Sequence, residues 1–152
     1  MKIESIEALI EWTKTVHFHL AKTLAEALKT QPEERARELL AYLQPHEVRL
    51  GKMVAGFEQQ ADTKALRTLV YDYALHTPID IERICDKPYG AMAYDAIAED
   101  VCSTHNQIID LYRYLLSRSV IPEEQQLLEA LLAVEEHETM QVFHQVNRGR
   151  DI

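Results

Sequence analysis

Apolar residues recur at intervals of three and four along four long segments of the chain, the spacing that places them on one face of an α-helix. The predicted helices cover residues 5–29, 32–60, 89–117 and 122–147. A shorter helix is predicted over residues 63–75, in a stretch that has no counterpart elsewhere. Glycine and proline number only 4 and 5 among 152 residues, which favours helices throughout. We therefore predict an all-α protein with one domain over residues 1–152.

The helical pattern occurs twice in the sequence. The first copy reads VHFHLAKTL, then PEE from Pro32, then LLAYLQPHE. The second reads THNQIIDLY, then PEE from Pro122, then ALLAVEEHE. A pair of helices cannot bury its apolar face alone, so two such pairs are expected to pack against each other. The prediction is a four-helix bundle of two repeated antiparallel helical hairpins, joined by a long crossover that contains the short helix.

Proline residues mark the predicted irregularities of these helices. Pro32 and Pro122 begin the second helix of each hairpin. Pro45 lies inside a helix and is expected to kink it. Pro78 and Pro88 are expected to break the crossover, and the C-terminal NRGRDI is expected to fray.

One imidazole or carboxylate lies at the middle of the apolar stripe on each long helix, taking about 100° per residue. These residues are His17, Glu47, His105 and Glu138. His17 and Glu47 lie about 15 residues from the first hairpin turn, and His105 and Glu138 about 16 residues from the second. The two residues of each pair are thus predicted to lie at the same height along their hairpin. The four side chains are therefore expected to meet in one cross-section of the interior.

Imidazole and carboxylate are ligands of iron, manganese and zinc. Burying carboxylates costs several kcal/mol each even when they are paired, and a bound cation would offset that cost. We predict a metal centre that uses the four residues, with Fe or Mn favoured and Zn suitable. Glu135, about 60° round the same face, and His46, about 100° from the stripe centre, are further candidate ligands. The alternative is a metal-free core in which His⁺ and Glu⁻ form pairs.

Composition narrows the range of partners and compartments. The net charge is −9 and no Lys/Arg cluster is present, so no nucleic-acid or membrane partner is predicted. The N-terminal segment has acidic residues within its apolar stretch, unlike a signal peptide. Cys85 and Cys102 form no C-x-x-C motif, which is typical of free thiols in a reducing cytoplasm. An apolar strip on the short helix (Leu66, Leu69, Val70 and Tyr73) predicts a homodimer, with the alternative that the strip covers the bundle.

Over about residues 3–146 the chain resembles the ferritin-like superfamily, in its bacterial rubrerythrin-like branch. The resemblance rests on the two hairpins joined by a long crossover and on the phrases IIDLYRYLLSRS and LLEALLAVEEHETM. In that family each hairpin gives a Glu from its first helix and an E-x-x-H from its second, and together they hold two iron or manganese ions. The first-helix Glu normally stands seven residues before a leucine or aromatic, where this chain has His17 before Leu24 and His105 before Tyr112.

The chain departs from the family pattern in the residues of both halves of the metal site. Both first-helix glutamates are histidines and no E-x-x-H is present. When the chain is aligned with the family by its apolar stripes, the two E-x-x-H positions hold Gln44-x-x-Glu47 and Glu135-x-x-Glu138. When that alignment is shifted by three residues, they hold E-x-x-L and E-x-x-Q. The resemblance therefore implies a non-standard, degenerate di-iron site, which holds one metal ion or an unusual pair, or which has decayed.

Two functions follow from this resemblance. The first is a ferritin-like metal-binding protein: either a non-haem iron or manganese oxidoreductase acting on O₂ or peroxide, or a metal-handling protein. As no Cys-rich rubredoxin-like segment follows the bundle, its electrons would come from a separate redox partner. The alternative is a helical-bundle interaction module that kept the fold, lost the metal and acts through a protein partner. The residues leave open whether the protein is an enzyme.

Overall fold

The computed structural model describes residues 5–68, 83–84 and 86–150. Its elements in chain order are α1 (Ile6–Leu28), α2 (Glu34–Gln60), the short α3 (Thr63–Leu66), a 3₁₀ turn (Tyr89–Ala91), α4 (Tyr94–Arg118) and α5 (Pro122–Arg150). Helix α1 packs along α2, α4 packs along α5, and α2 contacts both helices of the second pair. The predicted all-α bundle of two helical hairpins is therefore confirmed.

Burial repeats between the two hairpins with a constant offset of 88 residues. Buried residues of α1 correspond to buried residues of α4, as in the pairs Ile6/Tyr94, Ile10/Ala98, Leu20/Ile108 and Leu24/Tyr112. Buried residues of α2 correspond to buried residues of α5, as in the pairs Leu40/Leu128, Leu43/Leu131 and Val54/Val142. Each hairpin thus presents the same face to the other, and any interior residue of one hairpin has a defined counterpart in the other.

Short polar contacts fix the ends of the hairpins. The Ser5 hydroxyl accepts a hydrogen bond from the Ala8 amide at 3.1 Å and caps α1. In the turn between α1 and α2, the Gln31 side-chain amide donates to the carbonyls of Tyr89 and Met92, each at 2.9 Å. The first hairpin turn is therefore tied to the segment that leads into the second hairpin.

Helix α3 is shorter than the sequence predicts. It was predicted over residues 63–75 but ends at Leu66. The chain turns there because the Thr68 carbonyl accepts a hydrogen bond from the Ile6 amide at 3.0 Å, satisfying a donor at the start of α1. Residues 69–75, including the predicted continuation of the helix, lie outside the described residues.

Two other helix limits differ from prediction. The third long helix begins at Tyr94 rather than at residue 89, because the carbonyls of Tyr89 and Met92 are held by Gln31. Helix α5 extends to Arg150 rather than fraying, since contacts anchor its last turns: Tyr94 donates to the Val146 carbonyl at 2.8 Å, and Arg150 pairs with Asp95 at 3.0 Å. Helix α2 continues without a break through Pro45.

The surfaces that the sequence linked to partners are only partly described. Of the predicted dimerisation strip, Leu66 is half-buried and packs against the core, whereas Leu69, Val70 and Tyr73 lie outside the described residues. Pro78 and Cys85 also lie outside them, while Cys102 is a buried free thiol. Among the helices of the described part of the chain, none combines the length and apolar character needed to span a bilayer.

Candidate metal centre

A continuous series of contacts joins two imidazoles and two carboxylates at the centre of the bundle. His17 Nδ1 lies 2.8 Å from Glu47 Oε2, and His17 Nε2 lies 2.7 Å from Glu135 Oε1. The other oxygen of Glu47 contacts Nε2 of His105. All four side chains have 0% exposed area. Each of the four long helices therefore contributes one buried ionisable residue to the same point.

Glu135, rather than Glu138, is the α5 carboxylate at this point. Leu128 and Val142, which are fully buried, lie within about 20° of Glu135 on the helix, whereas Glu138 lies about 60° away. Glu135 is thus near the middle of the buried arc and Glu138 is at its edge. The prediction that Glu138 meets His17, Glu47 and His105 differs from the structure for this reason.

The spacing of the inner residues along the chain also distinguishes Glu135 from Glu138. His17 and Glu47 are 30 residues apart, and so are His105 and Glu135. The two pairs are also related by the 88-residue offset that relates the buried positions of the hairpins. Equal spacing within the two hairpins was therefore the sequence signal that distinguished Glu135 from Glu138.

The two equivalent carboxylates differ in their contacts. Glu47 uses both oxygens, one on each imidazole. Glu135 uses only Oε1, and its Oε2 is buried with no hydrogen-bond partner in the described part of the chain. Buried polar atoms are normally satisfied, so this oxygen is an acceptor that is left open in the interior of the bundle.

The two imidazoles differ as well. Both nitrogens of His17 contact carboxylates. His105 contacts one carboxylate through Nε2, and its Nδ1 lies 3.3 Å from the hydroxyl oxygen of Thr139. The ring of His105 is therefore oriented by a neutral hydroxyl, in the way that outer partners orient metal-binding histidines.

The charges of this cluster strongly change the pKa of its members. Burial alone would lower the pKa of His17, but the charges and hydrogen bonds of Glu135 and Glu47 outweigh it and raise the pKa to about 10. Burial would raise the pKa of Glu47, but His105 and His17 hold it well below its usual range. The carboxylates thus create a strong demand for positive charge, which a proton on His17 meets in the metal-free protein.

A phenol lies beside the cluster. The Tyr112 hydroxyl donates a 2.6 Å hydrogen bond to the Thr13 hydroxyl oxygen, and Thr13 in turn donates to the Leu9 carbonyl at 2.9 Å. Burial and the negative charge of Glu135 raise the pKa of Tyr112 well above its usual value. The phenol therefore remains neutral and held in place next to the charged residues.

His46 and Glu138, the two other candidate ligands, form a separate outer cluster with Arg49. His46 Nε2 lies 3.5 Å from Glu138 Oε2, and Arg49 Nη2 lies 3.0 Å from His46 Nδ1 and 3.4 Å from Glu138 Oε2. The Tyr42 ring stacks on His46 at 5.9 Å between centroids. Burial lowers the pKa of His46 despite the nearby charges of Glu47 and Glu138.

The inner residues have the chemistry of a metal site. One ligand atom from each of His17, Glu47 and His105 lies within 4.8 Å of the others. Two imidazoles with carboxylate oxygens match the donors preferred by iron, manganese and zinc. In the present arrangement these atoms contact one another, so a cation would replace the protons shared between them. The open oxygen of Glu135 would supply a further donor.

The chain resembles a known protein in its structure. No protein-family model and no curated protein matched the sequence. The structure is similar to the 2.30 Å crystal structure of a Thermotoga maritima protein, described as a candidate ferritin-like diiron-carboxylate protein. The TM-score is 0.61 at 12% sequence identity, and the match covers 94% of this chain and 95% of that one. The chain has a ferritin-like fold. At this identity the likeness shows the fold alone, and the diiron-carboxylate description applies to the Thermotoga protein.

Within the ferritin-like fold, each inner residue can be related to the general ligand pattern of the family. From the sequence, His17 and His105 were matched with the first-helix glutamates of the family pattern; if Glu47 is matched with the Glu of one E-x-x-H, the 88-residue offset within this chain matches Glu135 with the other. The position of the E-x-x-H histidine is then Leu50 in α2 and Glu138 in α5. This pairing differs from both alignments that the sequence suggested, because each of those matched Glu47 with Glu138.

Proposed function

We propose that this ferritin-like protein binds one divalent transition-metal ion, iron or manganese, among His17, Glu47, His105 and Glu135. One observation carries the proposal: donor atoms of three fully buried side chains on three different helices lie within 4.8 Å of one another. Burying several ionisable groups costs stability, and such a constellation is typical of functional sites.

Charge balance supports a single divalent ion. Glu47 and Glu135 carry two negative charges in a region with no exposed area. One divalent cation with neutral imidazoles balances them, as would two protons without a metal. The raised pKa of His17 reflects the same demand for positive charge. A cation of this valence therefore fits the centre without leaving a net buried charge.

The residue at position 50 supports one ion rather than two. Leu50 is fully buried and offers no donor atom where the family pattern has a histidine. The inner set then has two imidazoles and two carboxylates, one of which has an open oxygen. These are enough ligands for one ion with a remaining position for a small molecule.

Iron or manganese in this site would supply redox chemistry toward O₂ or peroxide. The protein's own groups would hold and shield the ion: Glu47 aligns both imidazoles, and Thr139 orients His105. Tyr112 adds a neutral buried phenol beside Glu135. Zinc fits the same donors without redox activity, so a protein that binds zinc would not act as an oxidoreductase of this kind. We further propose that electrons come from a separate redox protein.

The test is elemental analysis of untagged protein purified without chelator. We expect near-stoichiometric Fe or Mn in the parent protein and its loss in the His17→Ala/His105→Ala double variant. The matched control, His137→Ala/His144→Ala, removes two exposed imidazoles of α5 and should keep the metal. Glu135→Gln, a nearly isosteric change, provides a second variant if the double variant does not fold. A metal-free parent that also fails to bind added Fe²⁺, Mn²⁺ or Zn²⁺ would exclude this function.

A second function, a metal-free interaction module, is favoured by one specific observation. All four nitrogens of His17 and His105 already have polar partners within the protein. In that case the four residues would fix the register of the two hairpins, and the protein would act through its surface as a dimer or with another protein. Unchanged thermal stability after addition of each metal ion would support this module and exclude the metal centre.

A further inference from the structure

The inner centre is closed to solvent, and the outer cluster lies next to it. His46 immediately precedes Glu47 on α2, and Glu138 follows Glu135 by one turn on α5. Each residue of the outer pair is therefore carried by the same helix as an inner carboxylate. Arg49, at the outside of this pair, has a side chain that is 58% exposed.

The Arg49 guanidinium contacts both residues of the outer pair. Its Nη2 lies 3.0 Å from a nitrogen of His46 and 3.4 Å from an oxygen of Glu138. An imidazole nitrogen and a carboxylate oxygen are the donors that divalent transition-metal ions use in proteins. We propose that Nε2 of His46 and the carboxylate of Glu138 form an outer site for a divalent cation, and that Arg49, which pairs with the same Glu138 oxygen, blocks this site in the metal-free protein.

An unsatisfied polar atom supports the proposal independently. His46 is only 2% exposed, and its Nε2 has no hydrogen-bond partner in the described part of the chain. This atom lies 3.5 Å from Glu138 Oε2, and stacking against Tyr42 holds the ring toward it. A buried donor without a partner is uncommon. Once Arg49 leaves, the ring proton can lie on Nδ1, and a cation between Nε2 and Glu138 Oε2 would then satisfy both atoms.

The arginine can leave without disrupting the bundle. Its contacts are made by a half-exposed side chain, and ion pairs of that kind contribute little to stability. Exposed side chains also change rotamer within nanoseconds. When Arg49 swings outward, its positive charge is replaced by that of the incoming ion. The outer site then serves as an entrance to the inner centre. This role rests on the proposed function, whereas the existence of the outer site does not rest on it.

The test measures Co²⁺ binding to the metal-free protein by spectroscopic titration and rapid mixing. Arg49→Met removes the charge and the donors but keeps the stem, while Arg49→Lys keeps the charge. Arg113→Met is the control, since Arg113 is also 58% exposed but pairs with Glu136 and Asp110. We expect Arg49→Met to bind one more Co²⁺ than the parent at a free Co²⁺ concentration that is too low to displace Arg49 from Glu138 in the parent. We also expect it to take up the first ion roughly tenfold faster at low salt, a gain that high salt reduces.

Two further results decide the assignment. Arg49→Met/Glu138→Gln should lose the additional ion, and Arg49→Lys and Arg113→Met should match the parent in stoichiometry. An Arg49→Met protein that binds no more Co²⁺ than Arg113→Met would overturn the outer site, as would an additional ion that survives Glu138→Gln. A parent that binds no Co²⁺, beside an Arg49→Met variant that binds one, would support the outer site and refute the inner metal centre.

Discussion

The carboxylate of Glu135 contacts the imidazole of His17 in the other hairpin, with 2.7 Å between Oε1 and Nε2. The two residues are 118 positions apart in the chain. Because His17 also contacts Glu47 of its own hairpin, its ring lies between one carboxylate from each half of the protein. The same contact therefore belongs both to the packing of the bundle and to the candidate metal centre.

Replacing Glu135 with Gln should destabilise the metal-free protein. The change removes a charge that His17 balances and leaves a buried imidazolium with one carboxylate fewer, and breaking a buried pair typically costs about 3 kcal/mol or more. The measurement is urea unfolding in the presence of a chelator. Glu136→Gln is the control, because Glu136 is 42% exposed and pairs only at the surface with Arg113. Its effect should stay within about 0.5 kcal/mol. Equal effects of the two changes would contradict the central role of Glu135.

The stability of the metal-free protein should peak in mildly acidic solution. Glu47 has a pKa well below its usual range in the folded state, so its contribution is complete above about pH 4.3 and is lost as the pH falls. His17 has its pKa raised to about 10 in the folded state. Its contribution to stability is therefore complete below about pH 6.5 and is lost progressively as the pH rises from there to the folded-state pKa. We therefore expect a maximum between these two limits.

The measurement is the urea midpoint from pH 4 to pH 10 for the parent and for His17→Gln, both with chelator. The parent should lose stability steadily between about pH 6.5 and the folded-state pKa of His17. The His17→Gln variant should show a much smaller change over the same range. If the two proteins lose stability in parallel over that range, His17 is not the group responsible.

The fold could be predicted from the sequence because its signals are local and repeated. Apolar residues at helical spacing, prolines at helix starts and the doubled pattern from Pro32 and Pro122 all indicate two equivalent hairpins. What the sequence missed depends on distant contacts. Helix α3 ends early because the Thr68 carbonyl bonds to the Ile6 amide, which no local pattern reveals.

The candidate site was only partly predictable for a related reason. His17, Glu47 and His105 are at the middle of their apolar stripes, so periodicity alone identified them. Glu135 and Glu138 are one turn apart on the same arc, so periodicity alone did not separate them, although the equal 30-residue spacing in the two hairpins does. His46 lies far from the centre of its stripe and is buried by stacking with Tyr42 and by the contact with Arg49. These are tertiary effects.

Removing the hydroxyl of Thr139 should weaken metal binding without unfolding the protein. Thr139 lies 3.3 Å from Nδ1 of His105, and loss of such an outer partner typically lowers metal affinity about 10–100-fold. Thr139→Val should show this loss in a competition titration with a chromophoric chelator, and Thr139→Ser should restore affinity. Thr23→Val is the control, since that hydroxyl donates to the His19 carbonyl of its own helix. Parent-like affinity in Thr139→Val would mean that the hydroxyl does not orient the ligand.

Replacing Leu50 with His should increase the metal content of the protein from one ion to two. Leu50 is the counterpart of Glu138 under the 88-residue offset, and His at this position restores an E-x-x-H motif beginning at Glu47. A ligand is thereby added where the family pattern has one and this chain has an apolar side chain. The measurement is elemental analysis after reconstitution of the metal-free protein with Fe²⁺ or Mn²⁺.

Leu40→His provides the matched control for that experiment. Leu40 is as fully buried as Leu50 and lies on the same face of α2, but it precedes Glu47 by about two turns. Both substitutions bury an imidazole and should lower stability, yet only Leu50→His places it within one turn of Glu47. A second ion in both variants would indicate unspecific binding. A second ion in neither, in folded protein, would show that Leu50 is not equivalent to the family histidine and would remove the main argument for a single-ion centre.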